Sequence, residues 1–357
     1  MRSLAPVSVV VVNWNGEAYL DECLKAVAAM RGAIAEVVVV DNASTDGSLA
    51  LLAARHPAAR VVRMDANLGP ARARNAGMRA ASSRWVLALD NDAVVAPDTL
   101  EKLAAALAAD EDAAIAQPRS VFFAERDRVH YDGGRFHYGG LIALRNFYEP
   151  LASAEGSGTL AVDCAVAVAL LVDRDAALDA GGYDETFFIL FEDLDLSYRL
   201  RALGRKILSV EDAIVLHKGG TAGISYRRGP SYPASRVLFH SRNRWLHLAK
   251  NYRVRTLVVA SPGLLAYEIA WFGFALASGG VGAWFRGKFQ FVRLLPHVLR
   301  ERRSFQSRRR VRDRDLLVGG PLTVTPSIGG SAGKRALLSA LDLLLRAWWS
   351  LARHVSA

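Results

Sequence analysis

Two Val-rich runs, VSVVVVN at residues 7–13 and EVVVVD at residues 36–41, constrain this chain more than any other feature. A strand with one wet face alternates apolar and polar residues. A run that is apolar at position after position belongs to a strand covered on both faces. The cover has to come from helices, and stretches of helical length follow each run. The pattern predicts strands at 7–12, 37–40, 60–64 and 85–89, alternating with helices at 18–30, 48–56, 70–81 and 97–110. This alternation specifies an α/β fold with a mostly parallel central sheet.

Sheets of this kind bind ligands beyond the carboxyl ends of their strands. The segments found there are Asn13-Trp14-Asn15-Gly16, the run from Asp41 and Asn42 to Gly47, Asn67-Leu68-Gly69 and Asp90-Asn91-Asp92. Turn chemistry alone puts Asn, Asp and Gly after a strand. Four such segments in register point to a nucleotide-binding rim. Asp90 and Asp92 flank Asn91 directly after a strand, where a tight turn can aim two carboxylates at one point. Hard oxygen ligands of this kind hold Mg²⁺ or Mn²⁺ at a nucleotide; the alternative is a solvated Asp/Asn turn.

Residues 115–160 form a mixed insert with no sharp reading, followed by a strand-like stretch at 165–172 and a helix running to Gly204. Glu192, Asp193 and Asp195 lie in FFILFEDLDLSYRLRALG. Apolar flanks raise a carboxylate toward the range of a general base. The same acids could answer a helix dipole and pair with Arg199 or Arg201. Asp195 is read as the charge partner and Asp193 as the base. His217 ends another apolar run before glycines, as a structural imidazole or a ligand would.

The composition limits the function classes. Apolar residues make up 52% of the 357 positions and the formal charge is +10, but residues 286–314 alone hold eleven Lys and Arg against Glu301 and Asp313. The remainder is close to neutral and lacks the broad basic face of a nucleic-acid binder, so no nucleic-acid partner is expected. Cys23 and Cys164 have no metal or redox spacing and read as reduced core thiols. The start is expected to carry no signal peptide. Between residues 256 and 285 the only charge is Glu268, which is long enough and apolar enough for membrane contact. Pro262, Gly263 and Ser278-Gly279-Gly280 are expected to divide the stretch. A single crossing would put the arginines opposite a cytosolic catalytic domain, against the positive-inside tendency. The expected organisation is therefore a catalytic domain at 1–252, an apolar and Arg-rich membrane-associating region at 253–318, and a linker with an amphipathic helix from Lys334 at 319–357. This tail would rest on an anionic membrane surface from the cytoplasmic face without crossing it.

The ordered set VSVVVVNWNG, VVVVDNASTDGS, NLGPARARNAG, LDND, GGYDETFFILFEDLDLSYRLRALG and the later His217 resembles the family 2 glycosyltransferases of GT-A fold, in particular their bacterial rhamnosyltransferase-like branch. The resemblance covers about residues 7–252. It implies a nucleotide-sugar pocket at Asn13, Asn15, Asp41, Asn42, Asn67, Asp90 and Asn91. It implies a divalent metal, Mg²⁺ or Mn²⁺, at Asp92 with Asp90 and His217, and an acceptor base at Asp193 beside Glu192. The implied reaction is inverting, non-processive transfer from a UDP- or dTDP-sugar, dTDP-rhamnose included, to a hydroxyl of a cell-envelope glycan or lipid-linked acceptor. A GT-A scaffold at the membrane that has lost turnover is the alternative. Ala167 replaces a Gly usual in this branch and implies a narrower acceptor side. Ser241 replaces the Gln of the processive Q-x-x-R-W signature, so SRNRW gives processivity no support.

Overall fold

The computed structural model describes residues 6–219, 232–326, 328 and 330–356. The first five residues of the expected leaderless start, Gly220 after His217, and Ser327 and Gly329 of the linker lie outside the described residues. The chain divides into two compact units. The first holds the residues up to Gly133 together with Arg145–Leu200 and Arg205–Gly219; the second holds Gly134–Leu144, Arg201–Gly204 and the chain from Gly220 on.

The elements begin as the Val runs require: β1 (Val7–Asn13), α1 (Glu17–Ala28), β2 (Ile34–Asp41), α2 (Ser48–Arg55), β3 (Arg60–Arg63), α3 (Gly69–Ala80), β4 (Trp85–Asp90), β5 (Ala93–Val95) and α4 (Thr99–Ala109). Then come β6 (Ala113–Phe122), β7 (Val129–Tyr131), the hairpin β8 (Gly134–His137) and β9 (Leu141–Leu144), β10 (Thr159–Val162), β11 (Ala169–Asp173), α5 (Arg174–Asp179), α6 (Glu192–Ala202) and β12 (Lys206–His217). The remainder is α7 (Ala234–Asn251), α8 (Val254–Ala277), α9 (Val281–Arg308), α10 (Asp313–Leu316), β13 (Leu317–Val318) and α11 (Ala332–Ala352).

The first unit is built on a ten-stranded sheet of order β10-β12-β6-β11-β4-β1-β2-β3, with β5 on β12 and β7 on β6. Val9, Val10 and Val11 of β1 and Val38, Val39 and Val40 of β2 are fully buried. Strands β4, β1, β2 and β3 are mutually parallel, as expected. Beyond β4 the sheet is mixed, because β11 runs antiparallel to both β4 and β6. Register places the site: Asn13 pairs with Asp41, Val12 with Asp90, and His217 at the end of β12 with Ala93.

Two local differences from the sequence expectation have physical causes. Strand β6 lies unread inside 115–160 because Gln117, Pro118 and Arg119 interrupt its apolar pattern, yet all ten residues are buried. Arg119 is neutralised there by Asp132 at 3.1 Å and Glu211 at 2.8 Å. The strand expected at 165–172 begins only at Ala169. The N–H groups of Ala165, Val166 and Ala167 go instead to Ser197 Oγ, Gln117 Oε1 and Asp193 Oδ2.

The second unit combines the β13-β8-β9 sheet with the C-terminal helices. Pro262 does not divide the apolar stretch: α8 continues through it for 24 residues, and the break falls at Ser278 to Gly280, where Gly279 has φ +72. Gly263 lets the helix pass close to Tyr138, whose side chain a Cβ would strike. Glu268, the lone charge of the stretch, accepts from Arg244 at 2.7 Å, Trp245 at 2.8 Å and Trp284 at 3.0 Å, and pairs with Lys288 at 2.6 Å. In SRNRW, Arg244 also donates to the Gly139 carbonyl and Ser241 Oγ accepts from Trp271, so the segment ties α7 to its neighbours.

Helix α3 packs on β1 and β2 through Gly77, where a Cβ would collide with Val10 Cγ1 and crowd Val40. Gly77→Ala should therefore lower unfolding stability by about 1–3 kcal/mol, from overpacking. Urea denaturation checks this, and an unchanged midpoint would contradict the packing described.

Candidate active site

Strands β1, β2 and β4 end level with one another, so the polar segments after them face a common rim. Asn13 is fully buried at its centre. Its Nδ2 donates to Asp41 Oδ1 at 3.0 Å and Ser44 Oγ at 3.1 Å, and its Oδ1 accepts from Asn91 Nδ2 at 2.8 Å. Asn15, at φ +49, accepts from the Thr45 N–H. Asn42 donates to Asn67 and accepts from the Leu68 N–H. The expected pocket residues are thus brought together, and the Asn13 carboxamide is spent inside the protein, orienting its neighbours.

Asp90, Asp92 and His217 each offer a ligand atom, all within 4.8 Å of one another. His217 Nε2 lies 3.3 Å from Asp92 Oδ1. Burial pushes Asp92 upward, but the charge and hydrogen bond of His217 outweigh it and hold the carboxyl below the ordinary aspartate value. Asp90 is raised by burial despite Arg74. Two carboxylates and one imidazole form a donor set that suits Mg²⁺ or Mn²⁺ at a diphosphate. His217 Nδ1 lies 2.9 Å from Nδ1 of the buried His130, and the rings stack at 4.8 Å. A bound cation would take over the role of the His217 charge beside Asp92, with the imidazole donating Nδ1–H to His130 and offering Nε2 as the ligand atom.

Glu192 and Asp193 begin α6, and Phe188, Leu190 and Phe191 immediately before them have φ of +62, +69 and +75. Such backbone costs about 1–3 kcal/mol per residue and collects where a site must be held in one shape. Asp193 Oδ2 accepts the Ala167 N–H at 3.0 Å, while Oδ1 has no hydrogen-bond partner among the described residues. Glu192 lies 3.2 Å from Arg74, and its Oε2 is likewise without a hydrogen-bond partner among them. Burial, then the charge of Asp193, raises Glu192 well above the usual glutamate range; burial also raises Asp193, against Arg74 and the Ala167 amide. Two like groups this close titrate as a pair and hold one proton between them more readily than two isolated acids would. The Ala167 N–H that Asp193 accepts favours the ionised form on that member. Asp195 is the charge partner expected, bound to Arg199 at 2.8 Å.

Arg74, His130 and the Ala167 amide were not singled out by sequence reasoning. Arg74 lies within NLGPARARNAG, but one Arg on a helix face carries no signal of burial. His130 lies in the unread insert. Arg74 reaches Asp90 at 2.7 Å, Glu192 at 3.2 Å and Asp193 at 3.7 Å, and so joins the cation-binding group to the acidic pair.

Comparison with known proteins decides what this arrangement belongs to. Residues 8–166 match the model described as glycosyl transferase family 2. This chain carries a family 2 glycosyl transferase domain. It is 27% identical over 277 residues to the N-acetylglucosaminyl-diphospho-decaprenol L-rhamnosyltransferase of Mycobacterium tuberculosis H37Rv, covering 68% of this chain and 84% of that protein. It is 41% identical over 98 residues to the succinoglycan biosynthesis protein ExoO of Rhizobium meliloti, but that match spans only 28% of the ExoO length. The fold is similar to that of GalNAc-T7 crystallised with UDP, GalNAc and Mn²⁺, with TM-score 0.57 and 18% identity over 73% of this chain and 51% of that one. The rim with Asp90 and Asp92 falls within the matched residues, whereas Glu192, Asp193 and His217 lie beyond residue 166; all of them belong to the sheet-based unit.

Removing the buried cation tests this geometry. Arg74→Met leaves Asp90, Glu192 and Asp193 facing one another without it and should cost about 3–5 kcal/mol at neutral pH. Protonation relieves the repulsion, so the loss should shrink as pH falls. Urea unfolding of both proteins at pH 7 and pH 5 checks the sign; a loss independent of pH would refute the charge assignment.

Proposed function

We propose that the chain moves one sugar, with inversion and without processive polymerisation, from a UDP- or dTDP-linked donor to an acceptor hydroxyl. The observation that carries this reading is the placement of Asp193, its Oδ1 without a hydrogen-bond partner among the described residues, beside an Asp90–Asp92–His217 group at the strand ends, with Arg74 spanning both. Asp193 Oδ1 takes the proton of the acceptor hydroxyl. The hydroxyl oxygen forms its bond to the anomeric carbon as the bond to the diphosphate oxygen breaks, and the nucleoside diphosphate leaves with both electrons. Asp90, Asp92 and His217 would hold the divalent metal, which when bound supplies charge stabilisation to the diphosphate. Glu192 keeps its proton and spares Asp193 a second negative neighbour. The names of the mycobacterial and rhizobial relatives favour a cell-envelope glycan or lipid-linked acceptor, and the former favours dTDP-rhamnose.

The C-terminal helices support attachment to the cytoplasmic face of a membrane. The 24-residue α8 has a mean hydropathy of 1.5 over its most apolar window, of which only 17% is buried. The arginines of α9 follow directly and favour the anionic side.

Asp92→Ala, or excess EDTA, should abolish transfer with the fold retained. Asp193→Asn should lower turnover ~10²–10⁴-fold with donor affinity kept, whereas Glu192→Gln, which mimics the protonated form, should keep most activity. Activity should fall as acid protonates Asp193, and burial raises this limb above the 3.8 of an ordinary aspartate. Normal turnover by Asp193→Asn with loss in Glu192→Gln would exchange the two roles.

A further inference from the structure

Within the helical unit, Val254, Val258, Leu265, Ile269 and Leu276 of α8 are each 61–66% exposed. At about 100° per residue they fall on one stripe roughly 60° wide. Phe285, Phe289, Val292 and Leu299 of α9, 45–63% exposed, make a second stripe by the same spacing. Val254 ends the first stripe and Leu299 the second, and both line one cavity of about 400 Å³. Its other walls are Arg253, Arg302, Arg303 and Gln306.

The walls differ in freedom. Arg302 donates to the Ala249 and Tyr252 carbonyls at 2.7 and 2.5 Å, and Gln306 to the Asn251 carbonyl at 2.7 Å. These two are pinned to the end of α7. Arg303 is exposed and Arg253 is half-buried. A cavity walled by three guanidinium groups fits a phosphate. A phosphate alone would leave the apolar stripes unexplained, and a nucleic acid would gain nothing from them.

We infer that this cavity holds the headgroup phosphate of an anionic phospholipid whose acyl chains lie along the α8 and α9 stripes. The inference rests on the proposed membrane attachment and names one site within it. Arg302 and Gln306 form its fixed wall, and Arg253 and Arg303 close on the phosphate.

Flotation of the full chain with vesicles of phosphatidylcholine alone, or of equal parts phosphatidylcholine and phosphatidylglycerol, tests it. The double variant Arg253→Gln/Arg303→Gln should bind the anionic vesicles about 10–30-fold more weakly. Arg286→Gln/Arg300→Gln removes the same charge from exposed positions of α9 outside the cavity and should cost less than about threefold, and less still in high salt. Both variants should keep the thermal midpoint and donor hydrolysis of the wild type. Equal losses in the two pairs would overturn the site and leave membrane attachment standing. Wild-type binding to both vesicle types alike, untouched by either pair, would overturn the headgroup assignment. Failure of the wild type to float with either vesicle, with self-association through the stripes as the alternative outcome, would overturn the site and the attachment together.

Discussion

The active-site half of this protein depends on one buried cation. Arg74 is 4% exposed and faces three carboxylates, from the end of β4 and the first turn of α6. Without it, desolvation and mutual repulsion would force those acids to take up protons or move apart. With it, Asp90 of the candidate cation site and Asp193, the proposed acceptor base, share one electrostatic environment. Arg74 is in turn placed by α3, whose start at Gly69 passes so close to the Phe188 carbonyl that a Cβ would collide. The strained backbone at Phe188, Leu190 and Phe191 is the other side of that close approach, and it delivers Glu192 and Asp193 to the arginine.

Much of this was legible in the residue order. Runs apolar at successive positions admit few structures other than a covered strand, so β1, β2, β3 and β4 and the four helices after them fall within two residues of the expected limits, except that β2 begins three residues early, at Ile34. The strand-end rule then pointed to Asp41, Asp90 and Asp92, which the structure sets at or just after neighbouring strand ends. The rest was hidden because it is tertiary. Arg74 and Arg119 are buried only because acids distant in sequence neutralise them, and no local pattern records such a partnership. Ala167 matters through its amide, which any residue except proline supplies, and His130 through a ring contact made 87 positions away.

The tail was legible in composition and less so in geometry. Charge scarcity between 256 and 285 marked an apolar element, but its continuity through Pro262 depends on packing rather than propensity. Glu268 shows the same limit: as a lone charge it reads as a defect, yet it is the common acceptor for Arg244, Trp245 and Trp284 and the ion partner of Lys288. Its charge is answered inside the helical unit, which leaves the exposed stripe of α8 apolar.

The division of labour between cation-binding group and acceptor base can be tested without knowing donor or acceptor. Mn²⁺ titration followed by electron paramagnetic resonance measures occupancy of the site directly. The account predicts that Asp92→Asn, alone or with His217→Ala, abolishes tight binding and its enhancement by a nucleoside diphosphate. It predicts that Asp193→Asn leaves both intact. Tight Mn²⁺ binding by Asp92→Asn, or its loss in Asp193→Asn, would contradict the assignment.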